Sequence, residues 1–194
     1  MKTKGLIFII SAPSGAGKTT VIKNFMKRHK KDFVLSISVT TRKPRKNEKH
    51  GRDYYFISRE KFKKYIKTGK FLEYAKVLDN YYGTLKSTVL NSINKGLNVI
   101  MDIDVQGATQ IRKKIPDCIT IFLRPPSLKE LKKRLFKRKT ETEEEAKKRI
   151  NLAKKELKEQ KKYDYILTNK KVRDVVDTLE AIYKYEKIKN NYKI

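Results

Sequence analysis

Short, unbroken apolar runs alternate along this chain with stretches whose apolar positions recur at helical spacing. The runs are "GLIFII" (5–10), "NVIMDID" (98–104), "CITIFL" (118–123) and "DYILT" (164–168). An apolar run with no polar alternation is what a strand buried on both faces shows. After the first run and a Gly-rich turn, Val21, Ile22, Phe25 and Met26 fall on one helical face. Near the C-terminus, Val172, Val175, Val176, Leu179, Ile182 and Tyr183 make an amphipathic helix. Alternation of such strands and helices predicts an α/β domain on a parallel sheet.

Two stretches depart from that pattern. Residues 37–84 are polar, Tyr-rich and turn-rich, and "DYYFIS" alternates as a small antiparallel element would. A short helix is expected after it, with Ser58 as N-cap, Phe62, Tyr65 and Ile66 on one face, and Gly69 as stop. Residues 125–162 read as a basic helical hairpin introduced by Pro125 and Pro126. Leu128, Leu131 and Leu135 mark its first helix; Thr140 with Glu143, or Thr142 with Glu145, offers a capping box for its second. The expected organisation is one domain over 1–194, with a core of 1–36, 85–124 and 163–194 and two inserts.

At 194 residues the chain can bury a substantial core. Lys and Arg number 49 against 21 Asp and Glu, a formal net charge of +28, which favours anionic partners without selecting one. The lone Cys118 lies inside an apolar run and reads as a buried, inert thiol. His29 and His50 are too far apart in sequence to suggest a His/Cys metal site. "LIFII" is too short for a signal segment or membrane span, so a cytoplasmic protein without a membrane partner is expected.

Chemistry enters at "SAPSGAGKTT" (11–20), between a predicted strand and a predicted helix. Gly15 and Gly17 let backbone N–H groups turn inward toward phosphate oxygens, backed by the helix N-terminus. Ser14, Ala16 and Thr20 complete the loop, Lys18 can reach β- and γ-phosphates, and Thr19 can ligate Mg²⁺. Ala12 stands where the strict phosphate-loop pattern has its first Gly; it is compatible with a working loop if its φ is negative. Downstream, Ser38, Arg42, Arg45 and Tyr54 gather guanidinium forks and hydroxyls in one turn-rich segment, a suitable grip for a dianionic phosphate.

With "SAPSGAGKT" and "TTRKPRKNEKHGRDYYF" followed in order by "FLEYA", "NYYGT", "MDIDVQG" and "RLFKRKTETEEEAKKRI", the sequence resembles guanylate kinase along essentially its whole length. The resemblance implies a P-loop nucleoside-monophosphate-kinase-like core, with 37–84 as a mixed GMP-binding subdomain and 125–162 as a helical lid. It implies that Ser38, Arg42, Arg45, Tyr54 and Tyr82 hold the GMP phosphate, and that Glu73 and Thr84 read guanine. A carboxylate accepts from guanine N1–H and N2–H₂ together, whereas adenine presents the opposite pattern. Asp102 and Asp104 are implied near both nucleotides, their separate roles open, with Asp102 a candidate for ordering Mg²⁺ through water.

In the lid, Arg134 and Arg138 share a helical face, and Arg149 borders the stripe of Ala146, Ile150, Ala153 and Leu157. The resemblance makes these arginines a clamp on the transferring phosphoryl group, catalytic together with Lys18 and Arg42, and places Asn169 beside the adenine base. The activity implied is Mg²⁺-dependent phosphoryl transfer from ATP to GMP in guanine nucleotide biosynthesis and recycling. Guanylate-kinase-like scaffold modules bind phosphopeptides and carry damaged phosphate loops, but Lys18, Thr19 and the lid arginines are all present here. Charge alone would support a nucleic-acid binder and explains fewer residues, so no specific nucleic acid is expected. Monomer and homo-oligomer both stay open.

Overall fold

A computed structural model of the chain describes residues 4–136 and 143–191. In chain order the elements are β1 (Ile7–Ser11), α1 (Lys18–Arg28), β2 (Phe33–Ser36), β3 (Val39–Thr40), β4 (Tyr55–Phe56) and α2 (Arg59–Lys67). There follow β5 (Phe71–Val77), β6 (Asn80–Leu85), α3 (Lys86–Asn94), β7 (Asn98–Asp102), α4 (Val105–Lys114) and β8 (Ile119–Arg124). Last come α5 (Leu128–Phe136), α6 (Glu143–Lys158), a 3₁₀ turn (Glu159–Lys162), β9 (Tyr165–Thr168) and α7 (Val172–Asn191). One sheet has the order β2-β7-β1-β8-β9, the other β4-β3-β6-β5. The expected α/β class, a parallel-strand core with helices and a separate mixed sheet, is borne out.

The chain forms two compact units. The first comprises residues 1–9 and 32–119. Within it β2 runs parallel to β7, from Phe33 opposite Asn98 to Ser36 opposite Met101. Asn98 fixes that register: its Oδ1 accepts from the Leu6 N–H at 2.9 Å and its Nδ2 donates to the Asp32 carbonyl at 3.1 Å. In the mixed sheet β6 pairs antiparallel with both β3 and β5.

"DYYFIS" behaves differently from its antiparallel expectation. Its strand β4 pairs parallel to β3, Val39 opposite Tyr55 and Thr40 opposite Phe56. The long connection 41–54 carries the chain back to re-enter in the same direction, which a tight hairpin turn cannot do. The α2 expectations hold: Ser58 Oγ accepts from the Lys61 N–H at 3.2 Å, the helix stops at Thr68, and Phe62 is fully buried. Phe62 joins Val39 and Phe71 in the core between α2 and the mixed sheet, its ring 4.4 Å from that of Phe71 and 5.4 Å from that of Tyr81.

The second unit comprises residues 10–31 and 120–194. α1 packs on α7 through the predicted faces, with Val21, Ile22 and Phe25 buried on one and Val175, Val176 and Leu179 on the other. β8 is buried along its apolar stretch, and Cys118 just before it is buried. β9 is not doubly buried as its apolar run suggested: it lies at the end of the sheet order, and Ile166 is 40% exposed. Its register with β8 is fixed by Asp164, whose Oδ2 accepts from the Thr120 N–H at 2.8 Å and its hydroxyl at 2.7 Å.

The helical hairpin is present as α5 and α6, joined through a core of Leu131, Leu135, Ile150 and Ala153. Leu128, expected in that stripe, is instead 42% exposed in the first turn. Ser127 caps α5, its Oγ accepting from the Glu130 N–H at 3.1 Å. Thr140, Thr142 and Arg138 lie outside the described residues, as do the side chains of Glu143, Glu145 and Ala146.

Phe62→Ala should destabilise the protein by about 3–5 kcal/mol, because the surrounding rings cannot collapse fully into the space left. Chemical denaturation reads this as a lower midpoint; a shift worth under about 1 kcal/mol would show that α2 is anchored elsewhere.

Candidate functional site

The second unit carries the phosphate loop. Gly15 and Gly17 have φ values of 89° and 91°, a region that side-chain-bearing residues seldom enter, so the inward-facing loop needs glycine at both positions. Ala12 is not among the residues with positive φ, so its methyl is accommodated as expected. The loop closes with the Ala16 N–H donating to the Pro13 carbonyl at 3.0 Å, and α1 begins at Lys18 directly behind it. Lys18 is half-buried, while Thr19 and Thr20 are exposed in the first turn. α1 has no acidic residue in that turn, which leaves its positive dipole end available to an anion.

The hairpin residues reach this loop. Arg149 Nη1 donates to Ser14 Oγ at 3.0 Å. Arg134, held by a 3.0 Å bond from its Nε to Glu130, has a guanidinium nitrogen 3.8 Å from where a Cβ on Gly17 would stand. Leu135 lies against Gly15 in the same manner, at 3.2 Å. A cavity of about 280 Å³ is lined by Gly15, Gly17, Thr20, Arg134, Asn169 and Lys170, among others.

Asn169 has a definite place. It is 2% exposed, and its Nδ2 donates to the Ala16 carbonyl at 2.8 Å. A Cβ on Gly17 would come within 2.5 Å of that nitrogen. Its backbone N–H is bonded to the Arg124 carbonyl at the end of β8. The side chain expected beside an adenine base therefore buttresses the phosphate loop while also lining the cavity.

The first unit carries the other set. Arg42 makes a two-pronged pair with Glu48, Nη2 lying 2.8 and 2.9 Å from the two carboxylate oxygens. Its guanidinium carbon sits 5.5 Å from the Tyr54 ring centroid, and the Tyr54 and Tyr82 rings are 6.0 Å apart. Burial opposes the charge on Arg42, but bonds to Glu48 and Tyr82 outweigh it and hold the group more firmly protonated than usual. Burial raises the Tyr54 phenol, with Asp102 adding to the effect, so it stays a neutral donor. The Arg45 N–H also donates to Glu48, at 2.8 Å, while the Arg45 side chain is exposed. Ser38 is buried, its carbonyl accepting from the Tyr55 N–H. Arg42, Tyr54 and Tyr82 thus come together, with Arg45 on the adjoining turn.

Glu73 and Thr84 stand opposite one another on β5 and β6. Both are buried, and Thr84 Oγ1 donates to Glu73 Oε1 at 2.6 Å. Burial pushes the Glu73 carboxyl up to about 7, opposed by the Thr84 bond, with Asp104 raising it further. Thr84 and Tyr82, two residues apart on β6, face the same side of the sheet. Asp102 ends β7, whereas Asp104 is not part of that strand: it is the N-cap of α4, its Oδ1 accepting from the Gly107 N–H at 2.8 Å.

Three features went unassigned from sequence. Glu48 was readable only as the acidic member of a motif, Ser127 as a Ser-x-x-Glu cap, and Gln106, Gln110 and Lys114 as a fourfold spacing along α4. Arg138 falls outside the described residues.

The comparisons agree with one another. The family model described as "Guanylate kinase" matches residues 4–186. A guanylate kinase of Clostridium tetani is 47% identical over 184 residues, spanning 95% of this chain and 88% of its own. One of Clostridioides difficile is 46% identical over 186 residues, spanning 96% and 90%. The crystal structure of guanylate kinase from Anaplasma phagocytophilum superimposes with a TM-score of 0.81 at 31% identity, covering 96% of this chain and 88% of that one. With the phosphate loop, the arginine–tyrosine cluster and the buried Glu73–Thr84 pair all in place, the chain belongs to the guanylate kinase family.

Proposed function

We propose that this chain moves the γ-phosphoryl group of ATP to the phosphate of GMP, giving ADP and GDP, with Mg²⁺, in cytoplasmic guanine nucleotide biosynthesis and recycling. The observation that carries this reading is the buried Glu73–Thr84 pair, on the strand and face that also present Tyr82. A buried carboxylate facing a base edge rejects the wrong donor pattern strongly, because adenine would leave it opposite an acceptor. Arg42, Arg45, Tyr54, Tyr82 and Ser38 supply the grip on the acceptor phosphate. In the present structure the Thr84 proton points at Glu73, so donation to a guanine O6 requires exchanging that bond.

On the donor side, the loop Ser14–Thr20 binds the ATP phosphates and Lys18 holds the β- and γ-oxygens. Arg134, Arg138 and Arg149 offset the charge that phosphoryl transfer spreads over the equatorial oxygens. The Arg149–Ser14 bond and the nearness of the Arg134 guanidinium to Gly17 support this role, and Asn169 keeps the loop in shape. Thr19, an exposed residue at the helix start, carries one hard hydroxyl oxygen. That fits Mg²⁺, which keeps several waters and takes its other ligands from phosphates. Asp102 is the carboxylate assigned to one of those waters, and Asp104 to the neighbourhood of the nucleotides. When bound, the ion neutralises charge on the β- and γ-phosphates.

The direct test is ADP release from ATP and Mg²⁺ with GMP, AMP, UMP or no acceptor. Strong turnover with GMP, and little with AMP, UMP or no acceptor, is expected. GMP binding without turnover would instead favour a binding module. Lys18→Ala should lower turnover by at least about 100-fold while GMP still binds, the order of effect seen when one transition-state donor is removed; unchanged turnover would dismiss the loop as the donor site.

A pH profile isolates Glu73. Its carboxyl titrates near 7 in the free protein, and the ionised form is the one that accepts from guanine. Relative to Glu73→Gln, kcat/KM for GMP should therefore rise with pH up to about 7 and level off above it. Dividing the two profiles removes the ionisation of GMP's own phosphate. Parallel profiles would show that Glu73 does not face the base.

A further inference from the structure

α4 lies along the outer edge of β5 and bonds to it as a strand would, using side chains. Lys114 Nζ donates to the Leu72 carbonyl at 2.5 Å. Gln110 accepts from the Tyr74 N–H at 3.3 Å and donates to the Tyr74 carbonyl at 2.6 Å. Gln106 Nε2 donates to the Lys76 carbonyl at 3.4 Å. Residues four apart on a helix share a face, and residues two apart on a strand share an edge, so the two ladders match. Glu73 projects from between the first two of these anchored positions.

Gly107 sits on α4 where this ladder passes Glu73. A Cβ there would stand 2.5 Å from Glu73 Oε2, 3.1 Å from its Cδ and 3.4 Å from the Ile103 Cβ. Nothing else in its surroundings calls for glycine. Its φ is not positive, so the backbone would accept any residue. Its N–H receives the Asp104 cap, which any non-proline residue could do. Gly107 is the third residue of α4, where glycine has no helix-propensity advantage over alanine. The remaining reason is the space that the carboxylate occupies.

We infer that Gly107 is a specificity-determining position, a positioning residue whose bare α-carbon leaves room for the Glu73 carboxylate, with Gln110 and Lys114 holding β5 in the register that delivers it. The inference rests on Glu73 as the guanine reader. A methyl at position 107 displaces the buried carboxylate from Thr84 and from the base, while the phosphate grip on Arg42, Tyr54 and Tyr82 is untouched. GMP then loses more than AMP, and KM for GMP rises more than kcat falls.

The experiment measures kcat and KM with GMP and with AMP for the full chain, Gly107→Ala, Gln110→Ala, Glu73→Gln and the Gly107→Ala/Glu73→Gln double variant. The expected result is a fall of at least about tenfold in the GMP-over-AMP ratio of kcat/KM for Gly107→Ala, on the scale of one misplaced buried polar contact. KM for ATP should be unchanged. A smaller fall in the same direction is expected for Gln110→Ala, and no further fall in the double variant beyond Glu73→Gln. Equal losses on both nucleotides, or an unmoved ratio in Gly107→Ala while Glu73→Gln collapses it, would overturn the positioning role alone. An unmoved ratio in Glu73→Gln would overturn the guanine reading and this inference with it. Should Gly107→Ala fail to fold, the Gln110→Ala ratio decides in the same way.

Discussion

A carboxyl group kept out of water, 2.6 Å from one hydroxyl, is the constraint around which the first unit is arranged. Withdrawing a carboxylate from solvent is unfavourable, and the rise of its titration to about 7 reflects how incompletely its neighbours offset that burden. The register of β5 against β6 sets it opposite Thr84, just after an irregularity between Phe71 and Glu73. α4 is drawn in close enough to exclude water from it. Folding alone would be served as well by an apolar side chain, so the group makes sense as a binding feature held ready by packing.

A second regularity concerns the arginines. In a chain with 49 basic residues and 21 acidic ones, acids are scarce, yet Glu48 lies on Arg42 and Glu130 on Arg134. Such pairs contribute little to stability where solvent reaches them. They do restrict side-chain freedom, so a long flexible guanidinium meets an anion with part of its ordering already complete. Arg149 is restrained in the same sense by Ser14.

What sequence could reveal follows the range of the interactions. The phosphate loop was legible because its function lies in consecutive residues between a buried strand and a helix. The faces of α1, α2 and α7 were legible for the same reason. β9 was misjudged because an apolar run is equally compatible with a central and an outer strand, and only its neighbours decide which it is. The parallel pairing of β4 depends on a fourteen-residue connection whose path no local pattern encodes. Asn169 illustrates the point within the site: its bond to Ala16 spans most of the chain, so its turn-like setting concealed a structural duty. The contact between Gly107 and Glu73 was equally invisible, since glycine in a helix carries no pattern of its own.

The side-chain ladder of α4 has a consequence beyond catalysis. An outer strand normally exposes a row of N–H and carbonyl groups that another chain can extend, the starting point of aggregation. β5 is such a strand, seven residues long and carrying Tyr74 at 40% exposure. Its backbone at Leu72, Tyr74 and Lys76 is already engaged by Lys114, Gln110 and Gln106. At the opposite edge, β4 is only two residues long. The helix that sets the reading carboxylate thus also closes its sheet to a foreign strand, so loosening α4 would trade away solubility together with selectivity.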